Sequence, residues 1–183
     1  MPTRTMAETL DALGDERLCE FDAVVREGHA TYRAYDPAIL VEHDARAQAN
    51  CTYSHVVAAA DRRFMGRSGV RVLDVRGLKL WLFEDANVVI RWKKMDEDGR
   101  SRNYPTKQAK AYDAQLELPG LPPAPVRLTF GYLLDATKVE LVRSQIARPH
   151  GREAMWCGAV IPEESRVPGK RVWTDVTRQR GFA

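Results

Sequence analysis

Twenty consecutive residues, RWKKMDEDGRSRNYPTKQAK at 91–110, gather seven basic side chains against three acidic ones, so this one segment holds more positive charge than the net +3 of the whole chain. Lys93, Lys94, Arg100, Arg102, Lys107 and Lys110 interleave there with Trp92 and Tyr104. Lysine and arginine neutralise phosphates, and aromatic faces stack on bases, which together are what a site tracking a nucleic-acid backbone requires. The candidate nucleic-acid-binding residues are therefore Lys93, Lys94, Arg100, Arg102, Tyr104, Lys107 and Lys110. A solvated hairpin tip has the same composition, and the pattern alone does not separate the two.

Other constellations stop short of a complete motif. The expected succession of helix, three antiparallel strands, helix and strand resembles the core of PD-(D/E)xK nucleases. That resemblance implies Asp85 or Glu84 as a ligand of a divalent cation, with a second carboxylate two residues before a lysine. The triplet here is Arg91-Trp92-Lys93, so an arginine stands where a hard cation needs an oxygen ligand. Cys51 and His55 share a helical face, but no second cysteine or histidine pair completes a zinc site. Adjacent Ser54 and His55 diverge by roughly 100° on a helix and do not form a nucleophile and base. His150, between Arg148 and Arg152 in a turn, is the more exposed candidate acid or base. Neither a P-loop nor G-x-G-x-x-G occurs. The sequence thus assigns no catalytic residue, metal or cofactor. Cys19, Cys51 and Cys157 are too few and too scattered for a disulfide framework and read as buried thiols.

The elements that position these residues can be read from pattern. Thr5 and Glu8 have capping-box spacing, and Asp15 opens a helix whose Leu18, Phe21, Val24 and Val25 recur at helical intervals until Gly28. Asp36-Pro37 starts a longer helical stretch to about Met65, with a break expected near residues 50–52. VRVLDV, LKLWLFE and NVVIRWKKM then read as three strands of an antiparallel meander. A charged loop leads to a helix opening at Pro105, and the proline-rich LPGLPPAP at 118–125 returns the chain to VRLTFGYLL, KVELVRSQIA and EAMWCGAVI. Gly131 inside a strand predicts a bulge or a close approach of backbone. The expectation is an α+β fold with a helical N-terminal third and an antiparallel sheet in the order βββ-α-βββ. Residues 1–161 form one domain, helical over 1–65 and sheet over 66–161, followed by a basic tail at 162–183 that docks through Trp173.

Composition fits that domain. Hydrophobic residues make up 44% and charged residues 29% of 183, the mixture of an ordinary globular chain. The first residues carry acids, and no stretch reaches the ~20 apolar residues of a membrane span, so a cytoplasmic protein without membrane contact is expected. Residues 1–65 hold seven basic and eleven acidic side chains, which leaves the positive excess on the sheet-forming part. A basic face of this kind meets phosphate, or the acidic helices of a second copy in a homodimer.

The run NYPTKQAKAYDAQLELPGL followed by FGYLLD resembles an uncharacterised bacterial family often encoded beside small helix-turn-helix (Xre-like) regulators. Its carriers are Arg46, Asn50, His55, Lys93, Asn103, Pro105, Thr106, Gln108, Gln115, Pro119-Gly120, Gly131-Tyr132, Asp135 and Trp156, within residues 36–156. Arg46, Asn50, His55, Asn103, Thr106, Gln108 and Asp135 form a candidate polar site on that ground. The resemblance implies a toxin-antitoxin or defence protein that controls bacterial growth by acting on nucleic acid (RNA or DNA) or the translation machinery, with a helix-turn-helix partner protein. The alternatives are a non-catalytic protein–protein interaction module using an open sheet edge, and a divergent nuclease.

Overall fold

A computed structural model describes residues 4–75, 77–101, 106–116, 118 and 120–178. Four helices come first: α1 Met6–Leu13, α2 Asp15–Arg33, α3 Pro37–Glu42 and α4 Ala45–Phe64. Strands β1 Val70–Val75, β2 Leu78–Phe83 and β3 Val88–Lys94 follow, then α5 Lys107–Asp113, then β4 Val126–Leu134, β5 Leu141–His150, β6 Glu153–Val160 and β7 Trp173–Asp175.

Local chemistry sets the helix starts. Thr5 and Glu8 form the reciprocal capping box, Asp36 accepts the Ala38 N–H ahead of Pro37, and Asp44 accepts the N–H groups of Arg46 and Ala47. Helix α2 begins at Asp15 but has no side-chain cap, since Gly14 occupies the cap position. Two expected boundaries move. Gly28 does not stop α2, and the break expected near residues 50–52 falls instead at His43-Asp44. Gly28 lies at the contact of α2 with α4, where a Cβ would come within 2.5 Å of Val56. Close packing of the two helices offsets the ~1 kcal/mol that a mid-helix glycine costs.

The seven strands form one sheet in chain order, and it is mixed rather than antiparallel. β3 and β4 run parallel, Val88 beside Val126 through Lys94 beside Tyr132, because α5 carries the chain back to the start of the sheet. All other neighbours are antiparallel. The fold thus departs from βββ-α-βββ at two points: the central parallel pair, and β7, which forms where a tail was expected. Trp173 does dock, 8% exposed, as the first residue of that strand opposite Val160. β5 also runs through Pro149 and His150, with a register shift at Arg148/Pro149.

Both faces of the central strands are covered, which is why they read as continuous apolar runs. On one face α1, α2 and α4 meet Trp81, Phe83, Ile90, Trp92, Leu128 and Phe130. Phe21 of α2 is the hub, with the rings of Phe64, Phe83, Trp92 and Phe130 edge-on around it at centroid distances of 5.1 to 5.6 Å. On the other face Tyr112 of α5 packs with Leu80, Leu82 and Val89. Its hydroxyl lies 2.9 Å from the Val89 carbonyl and 2.6 Å from that of Leu128, pinning α5 across β3 and β4. Among the described residues no helix is long and apolar enough to cross a membrane.

Candidate anion-binding cavity

Strand parity sorts the basic residues of β3. Arg91 and Lys93 share the α5 side of the sheet with Val89, whereas Trp92 and Lys94 alternate to the side of the long helices. β2 pairs with β3 only over Phe83–Val88, Leu82–Val89 and Trp81–Ile90. Beyond Ile90 the hairpin of β1 and β2 has parted from β3, and a cavity of about 650 Å³ opens there. Its floor is Arg91, Lys93 and Thr129. The walls are the β1–β2 turn at Gly77-Leu78, residues 99–101, α5 with the preceding Thr106, and the β5–β6 turn from Pro149 to Glu153.

Arg91 is only 3% exposed. Its Nε donates to Thr129 Oγ1 at 3.0 Å, and one terminal nitrogen donates to Ser101 Oγ at 3.2 Å and to the Asp113 carboxylate. The guanidinium carbon stands 4.7 Å from the Tyr112 ring centroid. These contacts engage Nε and Nη2, while Nη1 finds no acceptor among the described residues. Burial raises the pKa of Asp113, and the Arg91 charge beside it opposes that shift.

Lys93 is half-buried, its ammonium 4.9 Å from the Tyr53 ring centroid. Burial lowers its pKa, the Arg91 charge lowers it further, and Asp113 offsets part of the effect. The protonated amine has no carboxylate within ion-pairing distance among the described residues, so an anion arriving beside it would stabilise its charged form. Lys110 and Arg152 are exposed on the walls and also form no ion pair among the described residues. Arg100 is engaged, 3.0 Å from Asp96, 2.7 Å from Asp98 and 3.5 Å from Glu153. The result is a walled pocket with five cations, two carboxylates and the hydroxyls of Ser101, Thr106 and Thr129.

Of the basic residues singled out from the sequence, Lys93, Arg100 and Lys110 line this cavity, and Thr106 of the polar set joins them. Lys107 is on the exposed face of α5 and Gln108 is half-buried outside the lining. Arg102, Asn103, Tyr104 and Pro105 lie outside the described residues, and Thr106 caps α5 by accepting from the Ala109 N–H. Lys94 lines a different cavity of about 1040 Å³ with Arg46, Asn50 and Lys138, where Asp96, Glu97 and Asp98 supply opposing charge. The polar set is therefore divided. His55 meets the Tyr35 hydroxyl at 2.7 Å, and Asp135 closes its own turn by accepting from the N–H groups of Val139 at 2.8 Å and Glu140 at 3.0 Å.

The carboxylates of the nuclease reading are occupied elsewhere. Asp85 accepts from Arg17 and Glu84 from Arg71, both near the β2–β3 turn, at the opposite end of β3 from Lys93. Among the described residues no group of three or more histidine, cysteine, aspartate or glutamate side chains is placed to hold a metal ion. Cys157 is the buried thiol, its pKa pushed up to about 12 by burial, whereas Cys19 and Cys51 are only half-buried. Sequence reasoning overlooked Arg91, Asp113, Thr129 and Arg152 as site residues. For Arg91 a signal existed: a charged residue in a β-branched strand, two positions from Lys93, must share its face.

Compared with protein-family models, curated proteins and solved structures, the chain finds no match.

Proposed function

We propose that the protein binds single-stranded nucleic acid and that the cavity over β3 and β4 receives one of its phosphates. The observation that carries this reading is a set of cations that form no ion pair among the described residues, Lys93, Lys110 and Arg152, around a buried arginine whose Nη1 finds no acceptor among them. Desolvated guanidinium and ammonium groups favour phosphate, which offers several charged acceptors at once. A cavity of about 650 Å³ is too small to admit a duplex, so the fitting nucleic acid is a single strand. Control of bacterial growth through that nucleic acid, with a helix-turn-helix partner, is what the family resemblance adds.

The test is binding of labelled single-stranded RNA and DNA across a series of salt concentrations. Substituting Lys93→Gln, Lys110→Gln and Arg152→Gln together is expected to weaken binding at least about tenfold and to flatten the log K against log salt slope by about 0.7, the contribution of one phosphate neutralised on a single strand. Lys94→Gln, on the other face, should leave affinity and slope unchanged. An unaltered slope in the triple variant overturns the proposal.

A further inference from the structure

The position of the cations within the cavity says more than their number, given the phosphate reading above, on which this inference rests. Arg91 and Thr129 are 3% and 1% exposed at the floor, and the walls come from four separate segments of chain. A ligand meets Arg91 and Lys93 at the bottom of the cavity, between these wall segments. An internal phosphodiester carries one charge and only two unesterified oxygens. A terminal phosphomonoester carries about −1.5 to −2 charge at pH 7 and three unesterified oxygens. The floor offers a matching set. Nη1 of Arg91 and the Lys93 ammonium are cationic donors, while Thr129 Oγ1 accepts from Arg91 and keeps its own proton to donate. The volume of about 650 Å³ is within the range of small-ligand sites and accommodates one nucleotide behind the phosphate.

We infer that the cavity recognises a terminal phosphomonoester, on a nucleic-acid end or a free mononucleotide, in preference to an internal diester.

The experiment compares one single-stranded oligonucleotide in three forms, with a 5′-phosphate, with a 3′-phosphate and with hydroxyls at both ends, using the full chain. A nucleoside monophosphate and its unphosphorylated nucleoside serve as competitors. At least one phosphorylated form is expected to bind about tenfold or more tightly than the hydroxyl form, the effect of one added charge-assisted contact. Lys93→Gln should abolish that preference while the circular dichroism spectrum stays unchanged, and Thr129→Val should reduce it. The monophosphate should compete and the nucleoside should not. Equal, salt-dependent affinity for all three oligonucleotides overturns the end-recognition inference and leaves the nucleic-acid reading standing. Tight binding of the monophosphate with no binding of any oligonucleotide does the reverse: the phosphomonoester site stands and the nucleic-acid reading falls.

Discussion

Gly131→Ala should cost at least about 3 kcal/mol of stability, the upper range of overpacking effects, or prevent folding altogether. A Cβ at that position would stand 1.6 Å from the Lys93 carbonyl oxygen and 2.8 Å from its carbonyl carbon. Both atoms belong to backbone, so no side-chain rotation relieves the clash. Lys93 and Gly131 are register partners in the parallel pair, and β3 leans over β4 at this point. Alanine would push β3 away, separating the strands and displacing the lysine that floors the cavity. Chemical denaturation followed by the fluorescence of the buried Trp81 and Trp92 measures the change. A midpoint within experimental error of the parent would mean that β3 does not approach β4 in this way.

Phe21→Ala should remove about 3–5 kcal/mol, the usual cost of deleting a fully buried aromatic ring. Four aromatic rings from α4, β2, β3 and β4 meet Phe21 edge-on, so the cavity left behind lies between rigid neighbours with little freedom to collapse. Phe21→Leu keeps most of the volume and should lose less than half as much. The same denaturation experiment tests the ordering. Equal losses for alanine and leucine would show that ring packing, rather than filled volume, dominates the site.

The strand segments were legible because β-branched and aromatic runs between turn residues leave few alternatives, and β1 to β4 fall close to where those runs lie. Helix starts were legible where a side chain caps them, at Thr5 and at Asp36. Gly28 misleads because its intrinsic penalty is visible in sequence, while the compensating contact with Val56 comes from a helix that begins seventeen residues later. The parallel pairing of β3 with β4 depends on which edge the chain meets after α5, a tertiary outcome with no local signature. β7 is three residues long and is held by pairing with β6 and by burial of Trp173, so only the tryptophan announced it. In the site, period-two alternation separates Lys93 from Lys94, yet composition counts them together. Asp113 and Thr129 become partners of Arg91 only once α5 and β4 pack beside β3, and nothing in the spacing of these residues expresses that.

The location of phosphate binding is the central claim, and the two cavities on opposite faces of the sheet make it decidable. Backbone and side-chain chemical shifts of the labelled protein, followed while a single-stranded oligonucleotide with terminal phosphates is added, report the location directly. The account predicts the largest changes at Arg91, Lys93, Ser101, Lys110 and Thr129, saturating together, with Arg46, Asn50, Lys94 and Lys138 unmoved. Shifts centred on that second group, with the floor of β3 and β4 unaffected, would contradict it.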